Sequence, residues 1–217
     1  NMNNLKATGA IEMKDVDLQY GKTFHKPRQT PCQISFNVIK SGEDIQLNPF
    51  VLTILTMSLK TSGSVNGFSN PRFDLLIDAN NSEIQGWDAM VPALKEYDAE
   101  GNFAFKTSIK GPLNDASINL QFSVPKIALK IAKPEEKNQE APAQKIVIEA
   151  MEMQVQAEKK DDAIKANGSL AVKKGEVQAS PFEKMQAQFD FQNDVLNVRG
   201  LQVHIFQGDI AMDSTID

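Results

Sequence analysis

Apolar and polar positions alternate with a period of two along most of the chain. Cys32, Ile34, Phe36 and Val38 are separated by Gln33, Ser35 and Asn37; Ile118, Leu120, Phe122 and Val124 by Asn119, Gln121 and Ser123; Met185, Ala187, Phe189 and Phe191 by Gln186, Gln188 and Asp190. Phe73, Leu75 and Ile77 do the same, with Leu76 on the opposite side. Successive side chains of a strand point to opposite faces, so each segment predicts a strand with one apolar and one polar face. Clean alternation indicates antiparallel sheet wetted on one side. Several segments change phase midway: Ile11 and Met13 give way to Val16, Leu18 and Tyr20; Leu170 and Val172 to Val177 and Ala179; Ile146 and Ile148 to Met151, Met153 and Val155. An inserted residue, a bulge or a turn explains each change, and such devices predict a strongly curved sheet.

A short unit recurs. Residues 5–19 align with 164–178 with five identities, and Gly-x-apolar-x-apolar returns at Gly101 and Gly208. The irregular spacing argues for a meander of similar strands and against a solenoid of fixed period. Two segments break the pattern. Helical character around Trp87 to Tyr97, with Ser82 as a possible cap and Pro92 splitting the segment, predicts one short helix. Lys133 to Gln144 has no apolar residue larger than Ala or Pro and predicts a flexible linker at 133–145, between a β segment at 1–132 and a continuation of the same sheet at 146–217. The expected fold is mainly β: a curved, largely antiparallel sheet shaped as an open, taco-like groove.

Composition narrows the function classes. The 217 residues carry 23 Lys and Arg against 28 Asp and Glu, a net charge of −5, which disfavours a general nucleic-acid binder. One Cys and two His, far apart, argue against a disulfide framework or a conventional metal site. The 16 Asn and 16 Gln suit long solvated sheet faces. The longest apolar run, Phe50–Leu59, is too short for a membrane-spanning helix. The opening Asn1-Met2-Asn3-Asn4 lacks the basic and apolar regions of a signal peptide. The chain reads as a piece of a longer one, with any anchor outside it. Phosphate-loop, G-x-S-x-G, H-E-x-x-H and C-x-x-C motifs are absent from the sequence. The carboxylate pairs Asp161-Asp162 and Glu135-Glu136 sit in turn-like, solvated sequence. His25 lies in a Lys/Pro/Arg-rich loop, His204 falls at a polar strand position, and Cys32 shares the phase of Ile34 and Phe36, which predicts burial as a small hydrophobe. The Asn80 and Asn167 sequons are of a frequent kind. No catalytic residue, metal or cofactor is expected.

The apolar faces carry the functional signal. Phe occurs 12 times, against two Tyr and one Trp, and repeatedly in strand phase. One short helix cannot cover so many strand faces, so burying them needs a second sheet or a ligand. A β-sandwich core is one solution. The other is an apolar trough for acyl chains, each buried methylene contributing about 0.8 kcal/mol. The candidate lining is Ile34, Phe36, Val38, Phe73, Leu75, Ile77, Phe103, Phe105, Ile118, Leu120, Phe122, Val124, Phe189 and Phe191.

The Gly-x-apolar-x-apolar strands at Gly9–Met13 and Gly168–Val172, the order of strand, Trp87–Tyr97 helix, Gly101–Lys106 strand and turn at Gly111-Pro112-Leu113, and the close over Val195–Gly208 carry a resemblance. In these the chain resembles the AsmA-like family of Gram-negative envelope proteins, relatives of TamB and of the eukaryotic bridge-like lipid-transfer proteins. The family's N-terminal membrane helix is missing, which fits a fragment. The resemblance implies an inner-membrane-anchored protein projecting into the periplasm, whose β-groove holds phospholipid acyl chains and helps them reach the outer membrane. Its parts outside this chain would meet the inner and outer membranes. The rivals are a structural or protein-interaction β module without ligand, an outer-membrane barrel fragment, and a hydrolase with an unrecognised site.

Overall fold

Each alternating segment becomes a strand, and nearly every strand pairs with its neighbours in sequence. The structure, a computed structural model, describes residues 4–131, 144–161, 163–205 and 208–216. The strands are β1 Asn4–Glu12, β2 Leu18–Tyr20, β3 Phe24–Lys26, β4 Cys32–Ser41, β5 Asp44–Ile54, β6 Met57–Asn66 and β7 Arg72–Glu83. They continue with β8 Glu100–Pro112, β9 Asp115–Ile131, β10 Gln144–Lys160, β11 Ala163–Val177, β12 Ser180–Gln192, β13 Val195–Ile205 and β14 Gly208–Ile216. Twelve of them form one antiparallel sheet in the order β1-β4-β5-β6-β7-β8-β9-β10-β11-β12-β13-β14, while β2 and β3 form a separate ribbon. β1 and β14 are the two ends of this order and do not pair with each other, so the sheet is not closed.

Tight turns enforce the meander. Gln178-Ala179 and Asn193-Asp194 each place two consecutive residues at positive φ (52° and 65°; 53° and 63°), between the pairs Val177↔Ser180 and Gln192↔Val195. Two such residues twist the loop in the sense that the flanking strands require. The β8–β9 connection turns at Leu113-Asn114; Gly111 and Pro112, expected in the turn, are the last residues of β8. The linker expected at 133–145 falls outside the described residues as far as 143, but Gln144 and Lys145 already pair with Ile131 and Lys130.

The phase changes have two structural causes. After Ile11 the chain leaves the sheet: β1 ends at Glu12, and Leu18 and Tyr20 belong to the separate ribbon. In β10 the cause is an inserted residue. Glu149 pairs with Lys126 and Lys174, and Met151 with Val124 and Val172, leaving Ala150 between them at φ 53°. In β12, Lys184 at φ 54° separates Glu183, opposite Lys174, from Met185, opposite Val172. Pro125 and Lys173 occupy the same level of β9 and β11. Each of these four strands therefore carries one extra residue at one level. The shift in alternation returns Ile146 and Ile148 to the face of Met151 and Met153.

The one short helix expected around Trp87–Tyr97 is not there. Trp87–Ala89 and Pro92–Leu94 are separate 3-10 turns. Pro92 disfavours the helical region for the residue before it, and Val91 is extended at φ −116° and ψ 95°. Neither fragment then has the length to propagate a helix.

These turns and the β2–β3 ribbon build the main core. Cys32, Ile54, Met57, Ala79 and Met90 are buried together, with Met13, Phe24, Trp87, Val91 and Phe103 packed around them. The ribbon is tied to the 3-10 turns by the His25 N–H donating to the Met90 carbonyl at 2.8 Å. Lys26, fully buried, donates its ammonium to the backbone carbonyls of Val16 (2.6 Å), Pro27 (3.3 Å) and Lys14 (3.4 Å), which fixes the loop under the ribbon. Only nine apolar side chains are buried among the described residues. The chain exposes 14726 Å², where a compact protein of its 24.0 kDa would expose about 9,900 Å². A closed sandwich does not leave that much surface, so most of this sheet has a single layer.

Candidate functional site

Strand register decides which side chains share a face. One transverse row runs through Ile34, Leu52, Leu59, Ala79, Phe105, Phe122, Met153, Leu170 and Ala187. The next runs through Phe36, Phe50, Thr61, Ile77, Thr107, Leu120, Val155, Gly168, Phe189 and Val198. A third joins Val38, Leu47, Gly63, Leu75, Ile109, Ile118, Ala157, Ala166, Phe191 and Leu196. Phe73, two residues from Leu75, lies opposite Val65. Phe103 stacks on Phe122 with ring centroids 6.2 Å apart, and Val124 lies opposite Met151. All fourteen candidate residues therefore fall on one face. β8 and β9, expected to pair, do so through Phe105↔Phe122 and Ile109↔Ile118.

The same face has members beyond the fourteen candidates. β5 adds Leu47, Phe50 and Leu52, β10 adds Met151, Met153 and Val155, and β11 adds Leu170 and Val172. The Met-rich alternation of β10 was a visible signal for this. Thr61, Thr107 and Gly168 were not visible, since a small or hydroxylated residue breaks an apolar pattern without leaving the face. Glycine here makes room for aromatics: a Cβ on Gly168 would sit 2.4 Å from the Phe189 ring, and one on Gly175 would sit 2.3 Å from Phe182. These are cross-strand pairs in which the ring lies over the bare backbone.

Coverage of the face is uneven. The β2–β3 ribbon and the 3-10 turns cover the ends of β4 to β8 from the level of Cys32, Ile54, Met57 and Ala79 as far as Leu52, Leu59 and Phe105. Away from that cap, Phe36, Leu75, Leu120, Phe122, Met153 and Phe189 are half-buried. The opposite face is polar: Lys106, Gln121, Gln154, Ser169, Gln188 and Arg199 form one row. At the level of the inserted residues, Glu149 bridges Lys126 and Lys174, both at 2.9 Å. Hydrogen bonds from Lys174 and Lys126 hold the Glu149 carboxyl down to about 2. A shallow depression on the polar face lies between Gln154, Asn167, Asp190 and Arg199.

The remaining candidates sit apart from one another. His25 faces Asp17 at 3.2 Å and His204 faces Asp209 at 2.8 Å, both near the surface. Cys32 is buried under the cap, and its thiol is pushed up mainly by burial. Among the described residues, no group of three His, Cys, Asp or Glu side chains is placed to hold a metal. No family model, curated protein or solved structure matches the chain.

Proposed function

We propose that the apolar face binds lipid acyl chains, and that the chain is the lipid-holding part of a non-catalytic cell-envelope protein. The observation that carries the reading is the apolar face itself: it extends across the sheet from β1 to β14, and among the described residues no second layer covers it beyond the cap. Water against such a face is unfavourable by about 25 cal/mol per Å², and an acyl chain removes it without needing specific polar partners. A protein ligand would need shape complementarity over a bulged surface, whereas a flexible chain adapts. In this reading the protein stands in the periplasm as part of an AsmA-like, inner-membrane-anchored protein. It supports phospholipid movement to the outer membrane or assembly of that membrane.

Native mass spectrometry of the purified chain tests this. Co-purified phospholipid, lost when the face is made polar, is the expected result. A lipid-free mass, unchanged after incubation with phospholipid vesicles, would leave a structural or protein-interaction module as the better reading.

A further inference from the structure

Register places the residues paired in the sheet on one face or the other, and on the apolar face only two of them are charged: Lys40 and Lys159. Lys40 follows Val38 on the unbroken alternation of β4, opposite Ile45. Lys159 follows Ala157 on β10, opposite Ala116 and Ile164. The two belong to a single transverse row: Ile45 pairs with Val65, Val65 with Phe73, Phe73 with Gly111, and Gly111 lies against Ala116. That row is at the uncapped end. Lys40 is six residues from Ile34 and Lys159 six from Met153, both in the row that runs through Leu52 and Phe105 at the edge of the cap.

Their surroundings set them apart as well. Among the described lysines they alone are half-buried; Lys26 is fully buried and the rest are exposed. The Lys40 ammonium reaches the Gly42 carbonyl at 2.8 Å and stands 5.6 Å from the centre of the Phe68 ring. The rim carboxylates Asp44, Asp115 and Glu158 occupy polar-face register positions, so they do not share the side of the two ammonium groups. A lysine in an apolar row lays its stem along hydrocarbon and holds its charge at the boundary with water. Six residues of strand span about 20 Å, more than the ~15 Å half-thickness of a bilayer's hydrocarbon core. A full acyl chain therefore fits between each lysine and the cap.

We propose that Lys40 and Lys159 each hold the anionic headgroup of one lipid at the uncapped end, so that bound acyl chains run with their methyl ends toward the cap and anionic lipids are preferred. This rests on the acyl-chain reading above. The lysines lie six strand steps apart, about 29 Å along the sheet, so one headgroup cannot engage both.

Trp87, the only tryptophan, sits in the cap and reports orientation. The chain is loaded with phosphatidylglycerol brominated near the chain methyl, or near the carboxyl. Methyl-end bromines should quench Trp87 more strongly; equal or reversed quenching overturns the orientation. In parallel, native mass spectrometry compares uptake of phosphatidylglycerol and phosphatidylcholine from mixed vesicles. K40Q and K159Q should each reduce the anionic preference about fivefold at their own position, with total lipid retained. Absence of preference in the unaltered chain, or its survival in the double variant, overturns the headgroup assignment while leaving acyl binding standing. No uptake of either lipid defeats the acyl-chain reading itself. Inorganic phosphate at millimolar concentration should not reduce uptake; equal competition would assign the lysines to a free-anion site and overturn the proposal.

Discussion

Lys26 and Cys32 are both buried, but only Cys32 follows its neighbours in sequence. Cys32 follows its strand phase into the core, as the alternation of Ile34 and Phe36 indicates, and is 4% exposed. A thiol reagent should label it slowly in the native protein and quickly in denaturant, because burial both blocks access and disfavours the thiolate. Rapid native labelling would contradict the cap. Lys26 was not legible: it lies in a loop-like Lys/Pro/Arg run, and nothing local says that its ammonium will meet three carbonyls from residues 1 to 12 positions away. Lys26→Met keeps the stem but leaves those carbonyls short of a donor, at a cost of about 1–3 kcal/mol. For a chain of this size each kcal/mol corresponds to roughly 2–4 °C in melting temperature. A thermal melt that does not move would mean that the loop under the ribbon is held by other contacts.

At the scale of elements, the sequence was most informative where the period of two was longest and least where chain direction changed. β4, β9 and β12 follow directly from Cys32–Val38, Ile118–Val124 and Met185–Phe191. The shift between Ile148 and Met151, which leaves an inserted residue, a bulge or a turn open, is resolved by the extra residue Ala150, since a strand that must keep one face apolar accommodates an extra residue only as a bulge. That β9, β11 and β12 each carry an extra residue at the same level is a property of pairing, which single segments do not display. The level has its own electrostatics. Glu149 lies between Lys126 and Lys174 and its carboxyl titrates at about 2 instead of 4.5. A carboxyl lowered by folding stabilises the fold above its unfolded value, and this contribution is lost as pH falls from about 4.5 through about 2. Both lysines are well exposed, so solvent and salt screen the effect. Glu149→Gln should flatten the fall in melting temperature across that window, more visibly at low than at high salt, and leave stability at pH 7 only slightly changed. An unaltered acid slope would show that the ladder contributes nothing to folding.

Over the whole molecule, the question is whether the apolar face is a core awaiting a partner layer or a surface for ligand, and substitution at two depths separates the cases. Met90 is fully buried beneath the cap, among Cys32, Ile54 and Met57. A carboxylate there is cut off from water, so Met90→Asp should cost several kcal/mol, a large share of the stability of an ordinary domain. Phe122 occupies the row that continues away from the cap and is only half-buried, with Phe103 stacked beside it. In Phe122→Asp the carboxylate can tilt out to solvent over an uncovered face, so the strands, held by their backbone ladders to β8 and β10, should persist. The circular dichroism melt of Phe122→Asp should therefore stay close to that of the unaltered chain, while Met90→Asp melts many degrees lower. Mass detection of lipid should show the reverse order of loss, with Phe122→Asp depleted while it remains folded. Collapse of both variants would place Phe122 in a dry core and remove the open face on which lipid binding depends. Retained fold with undiminished lipid would move the ligand to another part of the sheet.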